Sequence, residues 1–403
     1  MIYLKNNISE DIIKYYIIFL IFFINLYLNF KIFISIKSNN QSIYNYYSHK
    51  NRLIQSINKY VIICRLGKLD KNIPSILTQP QISSIIILYN SQKTIKSAIR
   101  SIQNQNMSDI EILLIDDFST DNSIKIIEEL AYTDPRIKLI KNNKNRGSLY
   151  SRSLGALLAE SQYIMALDSD DLFINETLFN ICYEEIIKDN LDIIEFAGFH
   201  IKRPLLKKNN IFPKKPYYLR FKIYDKILKQ PSLFNSLYQK NSSHIVRLKD
   251  AYIWGKCIRK DIYRKALEKL GEAIYNQNLN FGEDRIVNFV LFQVAQSFKY
   301  INVYGIIYYN NSLSIYNSYK KELITKDELI NLMSMYNFTK NSSLINILIY
   351  EIKFRWDSVI KEGLNEENKK NIKYLFDLLM NNDYISIEDK KTLINYTNEI
   401  KLK

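Results

Sequence analysis

From Ile82 onward the chain alternates two hydrophobic periods. Ile85–Leu88, Glu111–Ile115, Ile137–Ile140 and Tyr163–Leu167 are short apolar runs of strand length. Between them apolar residues recur at helical spacing: Ile95, Ala98, Ile99 and Ile102 within Lys93–Gln105, then Ile124, Ile127 and Leu130, then a third helix over Leu149–Ala159. Short apolar runs mark buried strands, and the three-to-four spacing marks helices with one buried stripe. Ser119, Thr120 and Asp121 offer N-caps, Pro135 breaks the chain before the third strand, and Asn145-Arg146-Gly147 makes a turn. This β-α-β-α-β-α-β order predicts an α/β domain, a Rossmann-like, mostly parallel sheet with helices on both faces and right-handed crossovers.

The flanking segments carry other patterns. Tyr15–Phe30 is apolar around its whole circumference apart from Asn25 and Asn29, and with Ile32–Ile36 it continues past Lys31. That reaches the ~20 residues needed to cross a bilayer. No small-residue cleavage site follows, so residues 1–36 read as a single-pass membrane anchor rather than a removed signal peptide. Lys5 and Lys14 precede the run while Lys37, Lys50 and Arg52 follow it, a slight bias toward a cytosolic C-terminal domain that leaves orientation open. In a eukaryotic cell the expected location is an endomembrane such as the ER or Golgi. Residues 37–80 are polar and rich in Tyr and Asn, as in a stem. Residues 81–320 form the main domain, divided near 190. Residues 321–403 read as amphipathic helices, at Leu329/Leu332/Met333/Tyr336 and Ile372/Leu375/Phe376/Leu379, with no chemistry assigned. Ile352–Trp356 reads as another ordinary amphipathic helix.

Composition narrows the partners. A net charge of +15 suits an anionic membrane, nucleic acid or an anionic nucleotide. The basic residues are scattered and compose no nucleic-acid module, so nucleic acid is not an expected partner. Cys64, Cys182 and Cys257 are far apart, as are His49, His200 and His244, which excludes a disulfide framework and a spaced zinc motif.

Acidic clusters end two of the four strands: Asp116-Asp117 and Asp168-Ser169-Asp170-Asp171. In an open α/β sheet such ends share one rim, where ligands bind. Three acids in four residues repel one another unless a cation or a solvated loop takes up the charge. A divalent metal carrying a phosphate suits the cluster, and a solvated acidic turn is the alternative. Asp116-Asp117 has helix capping as its alternative. Arg152, between Ser151 and Ser153, is either a surface helix charge or a guanidinium fork for a carboxylate or diphosphate.

Taken in order, these residues resemble a family 2 glycosyltransferase of the GT-A fold. Ile82–Asn90 is similar to the family's first strand and Tyr-Asn turn, and Asp116-Asp117-Phe118-Ser119-Thr120-Asp121 to its Asp-Asp-x-Ser-Thr-Asp element. Asn145-Arg146-Gly147 and Ser151–Ala156 resemble the next two blocks, and Leu167–Asp171 the Asp-x-Asp strand end. Trp254-Gly255-Lys256-Cys257-Ile258-Arg259 and Gly282-Glu283-Asp284-Arg285 resemble the acceptor-side Trp-x-Lys and Glu-Asp motifs. Ile87 stands where the family usually has Pro, and Phe118 where Gly is common. The Gln-x-x-Arg-Trp motif of processive synthases is not matched, since Arg355-Trp356 lacks the Gln. The resemblance implies a nucleotide-sugar half over 81–190 and an acceptor half over 191–320. It implies Tyr89, Asp116, Asp117 and Arg152 around the nucleotide, Asp168 and Asp170 on Mn²⁺ or Mg²⁺, and Asp284 as general base of an inverting transfer. The implied donor is a nucleotide sugar, a UDP-sugar foremost, and the acceptor a carbohydrate, lipid or protein. Phe196, Phe199, Tyr252, Trp254 and Tyr275 are candidates for stacking on sugars, with core packing as their alternative. The rival reading is a catalytically silent nucleotide-sugar-binding or scaffold protein on the same fold.

Overall fold

A computed structural model describes residues 79–202, 227–230, 240–241, 244–245, 252–310, 320–342 and 344–402. The expected anchor over 1–36 and nearly all of the expected stem lie outside the described residues. Among the described residues no helix is long and apolar enough to cross a membrane.

The four predicted strands form: β1 Ile82–Leu88, β2 Ile110–Asp116, β3 Ile137–Lys141 and β4 Tyr163–Asp168. They lie in the order β3-β2-β1-β4, all parallel, connected by helices α1 Ile95–Gln103, α2 Ser123–Thr133 and α3 Ser148–Leu158. Leu88 stands opposite Asp116 and Ile87 opposite Asp168, so both acidic strand ends lie level on one rim. Neighbouring strands are about 4.8 Å apart. Asp116 and Asp168, with β1 between them, are therefore two strand spacings from each other.

Beyond β4 the expectation of a mostly parallel sheet needs correction, because the sheet is mixed. β10 Lys256–Arg259 runs antiparallel to both β4 and β6 Ile193–Lys202, and β6 pairs parallel with β11 Ser297–Asn310. β5 Leu172–Phe173 and β7 Ile227–Lys229 add to β11 antiparallel, and β8 Lys240–Asn241 with β9 His244–Ile245 makes a separate two-stranded ladder. Antiparallel neighbours need no crossover helix between them, so a four-residue strand inserts at this position.

Alternate side chains of β1 feed two cores. Ile82, Ile86 and Leu88 pack with α1, Ile127 of α2 and α4 Leu178–Lys188 on one face. Ile85 packs on the other face with α3, α5 Lys260–Leu270 and α7 Glu283–Val294, the short α6 Glu272–Tyr275 lying between the last two. This second core runs without a break into the C-terminal helices α8 Lys321–Thr339, α9 Ile345–Arg355, α10 Glu366–Met380 and α11 Ile387–Leu402. Leu329, Leu332, Ile372, Leu375, Phe376 and Leu379 are buried, as their spacing predicts. The helix expected over Ile352–Trp356 forms as far as Arg355, with Ile352 buried and Phe354 exposed. Trp356 is fully buried, begins a π turn, stacks on Tyr396 at 4.2 Å and donates from Nε1 to Glu399 at 3.1 Å.

Phe118 holds a backbone conformation that suits glycine better than any other residue. Its φ is 74°, in the left-handed region, and its side chain is half exposed. A Cβ there costs about 1–2 kcal/mol, partly offset by the extra freedom glycine gives the unfolded chain. Phe118→Gly should therefore stabilise the fold by about 0.5–1 kcal/mol, read from the chemical-denaturation midpoint. A lower midpoint would mean that contacts of the ring outweigh the strain.

Candidate active site

The rim loops are tied to one another by short polar side chains. Asn90 donates its backbone N–H to Ser119 Oγ at 2.9 Å, and its Oδ1 accepts the N–H of Thr120 at 2.8 Å. The Ser91 and Ser169 hydroxyls meet at 2.7 Å, linking the end of β1 to the acidic turn after β4. Tyr89 is 45% exposed on this rim.

Asp116 and Asp117 are both buried and have different duties. Asp116 accepts the N–H of Ser119 at 3.2 Å. Asp117 is committed to the turn that starts α3: Oδ1 accepts from Asn142 Nδ2 and the Arg146 N–H, each at 2.8 Å, and Oδ2 accepts the Gly147 N–H at 2.9 Å. Gly147 has φ 86°, and a Cβ on it would lie 2.6 Å from Asn278 Oδ1, so only glycine fits there. Asp171 is likewise structural. It is buried, and its Oδ1 accepts the N–H of Tyr309 at 2.9 Å.

Arg152 is not a surface charge. Its side chain is 6% exposed and its guanidinium joins three carboxylates from two distant segments. Nη2 donates to Asp168 Oδ1 at 3.2 Å, while Nη1 donates to Glu283 Oε1 at 3.1 Å and to Asp284 Oδ1 at 2.6 Å. The other Asp284 oxygen accepts the N–H of Ile253 at 3.2 Å. Glu283 and Asp284 open α7 after Gly282, whose φ is 71°. The positive end of a helix favours acids at its first turn. The structure thus unites Asp168, Arg152 and Asp284 in direct contact and places Asp116 and Tyr89 on the same rim, with Asp170 on the turn that follows Asp168.

Sequence reasoning gave no role to Glu283. Its signal in the sequence was its place in the Glu-Asp motif, beside Asp284 at a helix start. Three carboxylates share one guanidinium, so negative charge is in excess. Burial pushes Asp168 up to about 6, with Arg152 opposing and Asp284 and Asp170 adding to the rise. Burial, then the charge of Asp284, pushes Glu283 up to about 7. Asp168 keeps 31% of its side chain exposed against 9% for Glu283, so solvent screens Asp168 more and Glu283 is the better titration probe. Glu283 binds its proton more tightly in the folded state than in the unfolded one. The stability it contributes is present at low pH and is lost as pH rises from the unfolded value of 4.5 through about 7. Glu283→Gln should remove that loss. In metal-free buffer its stability relative to wild type should grow by on the order of 1–3 kcal/mol between pH 4.5 and 7 and stay level above. Melting curves across pH check this, and parallel curves would show that Glu283 titrates as an ordinary carboxylate.

Tyr252, Trp254 and Tyr308 stack mutually, with centroids 4.5 to 5.8 Å apart. Burial, then the charges of Asp171, Asp168 and Asp170, raise the Tyr308 phenol above its ordinary value, which sets this aromatic group beside the acidic turn. Phe196 is a core residue, Phe199 stacks on Tyr304, and Tyr275 packs partly buried against the core. Lys256 of the Trp-Gly-Lys motif is buried, ion-paired with Glu195 at 3.2 Å and donating to the Tyr252 carbonyl at 2.5 Å. It secures the aromatic loop from beneath.

Among the described residues no group of three or more acidic, His or Cys side chains is placed to hold a metal ion. Asp168 and Asp170 offer hard oxygen donors in an excess of negative charge. That suits a cation whose remaining ligands are phosphate oxygens and water, the usual manner of Mg²⁺ at substrate phosphates.

Residues 83–243 match the family model "Glycosyl transferase family 2". Over those residues the chain carries a family 2 glycosyltransferase domain. Among its curated relatives, the chain is 27% identical to the uncharacterized glycosyltransferase EpsJ of Bacillus subtilis, over 59% of the chain and 63% of that protein. It is 28% identical to the cholesterol galactosyltransferase of Borreliella burgdorferi, over 65% of the chain and 70% of that protein. The chain thus spans somewhat less than two thirds of the length of EpsJ. Crystal structures of S. aureus TarS 1–349 share the fold. The UDP-GlcNAc complex superposes with a TM-score of 0.56 at 15% identity, covering 80% of this chain and 88% of that one. The family match ends at residue 243, so Glu283, Asp284 and the C-terminal helices lie beyond it.

Proposed function

We propose that the protein moves a sugar from a UDP-sugar to an acceptor hydroxyl, with a divalent metal and with inversion. The observation that carries this reading is the single guanidinium of Arg152, which brings the strand-end acid Asp168 and the helix-start acid Asp284 to one place. The first belongs to the half expected to hold the donor, the second to the half expected to hold the acceptor. The UDP and UDP-GlcNAc complexes of the TarS structures support a uridine donor.

Asp168 and Asp170 would hold Mn²⁺ or Mg²⁺. The ion, when bound, acts as a Lewis acid that offsets the charge growing on the departing diphosphate. Asp116 orders the loop that follows β2 and Asp117 orders the start of α3. Both act on the donor pocket through those segments, with Tyr89 exposed at its edge. Asp284 takes the proton of the acceptor hydroxyl as it attacks the anomeric carbon. Arg152 and the Ile253 N–H fix the orientation of that carboxylate. Attack from the face opposite the diphosphate inverts the anomeric centre. The Tyr252/Trp254/Tyr308 cluster supplies an aromatic surface for the acceptor, which is a carbohydrate, lipid or protein hydroxyl. Residues 1–36 would anchor the enzyme to a membrane by a single span. Protease protection of a tagged N-terminus in vesicles reports on that span and on which side the domain lies.

Thermal-shift screening of UDP-, GDP- and other nucleotide sugars with and without Mn²⁺, followed by donor hydrolysis, tests the reading. A UDP-sugar should raise the melting temperature only with the metal, and EDTA should abolish hydrolysis. Asp170→Asn should weaken the metal-dependent shift at least ten-fold in apparent affinity. Activity that survives EDTA would remove the metal. Donor binding without any turnover would favour the silent binding protein.

A further inference from the structure

The loop that delivers Glu283 and Asp284 is held from two sides. On one side the N-terminus of α3 docks on it: Leu149 donates its N–H to the Leu279 carbonyl at 3.2 Å, and Ser148 donates its N–H to Asn280 Oδ1 at 3.1 Å. On the other side stands α8, from the C-terminal region to which the sequence attached no chemistry. Asp327 Oδ2 accepts the backbone N–H groups of both Asn280 and Phe281, each at 3.1 Å. Asn331 Nδ2 donates to the Phe281 carbonyl at 3.0 Å. Glu328 pairs with Arg285, the residue after Asp284, and with Arg355 of α9 at 2.9 Å.

Asn331 follows Asp327 by four residues and Glu328 by three, so it neighbours both on the surface of the helix. All three side chains are buried. Burying a carboxylate or an amide costs free energy unless its partners are supplied, and packing a helix onto a core requires only apolar residues. The backbone donors of Asn280 and Phe281 belong to no helix or strand, and Asp327 satisfies them. Burial pushes Asp327 up to about 6 against those two amide bonds, so the anchor is held at an electrostatic cost. The polar face of α8 is therefore explained by what it grips.

We propose that α8 positions the reacting carboxylate: Asp327, Glu328 and Asn331 fix the Asn280–Gly282 turn and with it the place where α7, and hence Asp284, meets Arg152. This rests on the glycosyltransferase reading for its catalytic consequence, and on the hydrogen bonds alone for its structural part. Displacing a reacting group by about 1 Å can cost ~10²-fold in rate without altering the chemistry. Asp327 touches no reacting atom and is a positioning residue.

The full chain carrying Asp327→Leu, which keeps side-chain bulk and removes the acceptor, is compared with Asp327→Asn, which keeps one acceptor oxygen. Asp327→Leu should lower kcat ~10²-fold with the donor KM within about two-fold, and Asp327→Asn should recover at least about ten-fold of that. Amides 280–284 should exchange with deuterium at least about ten-fold faster in the Leu variant, while those of β1 and β4 remain protected. A structural role alone would lower the melting temperature and leave kcat per folded molecule unchanged, which would overturn the proposal. So would unchanged exchange in the turn. If the wild-type chain transfers no sugar, the glycosyltransferase reading fails by itself, and amide exchange still decides whether α8 holds the turn. Should the Leu variant not fold, Asn331→Leu removes the grip on the Phe281 carbonyl and is read the same way.

Discussion

With Asp284 as the proposed general base, Asp284→Asn is expected to leave nucleotide-sugar affinity within about two-fold of wild type and to lower transfer by ~10²–10⁴-fold, the usual contribution of such a group. The substitution is nearly isosteric. The amide oxygen can still accept from Arg152 Nη1 or from the Ile253 N–H, so the start of α7 keeps its place. The capacity to take a proton is what disappears. The measurement is a single-turnover rate beside a calorimetric donor affinity on the same preparation. Full turnover in the Asn variant would move the base assignment elsewhere, with Glu283 the next carboxylate on the same guanidinium. Loss of donor binding together with turnover would instead mark Asp284 as part of the donor pocket.

Arg152→Met should have the largest effect on stability. The Met side chain fills much of the same volume and leaves Asp168, Glu283 and Asp284 facing one another without a cation. Removing one partner of a buried ionic cluster typically costs about 3–5 kcal/mol. The loss should be largest near pH 8 and smaller near pH 5. Asp168 at about 6 and Glu283 at about 7 already take up protons in that range, and deleting the guanidinium raises both further. Denaturant titrations at the two pH values check this. A loss below about 1 kcal/mol at pH 8 would show that the carboxylates turn out to solvent and that the cluster is loosely held.

The first four strands and three helices were legible because each apolar run has a length and period that only one element accommodates, as at Ile82–Leu88 and Ile95–Gln103. The shared rim followed from topology once those strands were parallel. Arg152 was harder to read. Its neighbours Ser151 and Ser153 look like a solvated helix face, yet both are buried with it, so polarity misreported burial. The same holds for α8, where Thr325, Asp327, Glu328, Asn331 and Ser334 are buried together with Leu329 and Leu332. A stripe of apolar residues marks only part of such a face. The antiparallel entry of β10 was not legible either. Lys256, Cys257, Ile258 and Arg259 alternate no more clearly than a loop, and the buried charge of Lys256 is met by Glu195, sixty-one positions earlier. Pairings over such separations leave no local trace in the chain.

One guanidinium serving acids from both sides of residue 190 constrains how this protein can be recombined. Exchange of segments between relatives is a common route to new specificity, and a crossover near residue 190 is the obvious seam. Here a hybrid joined at that seam receives Arg152 from one parent and Glu283-Asp284, together with their α8 grip, from the other. Hybrids whose second parent sets that acidic pair even a turn of helix away would inherit a stranded cation on one side and an unbalanced cluster on the other. Viable crossovers should therefore carry residues 145–171 and 276–331 as one block from a single parent.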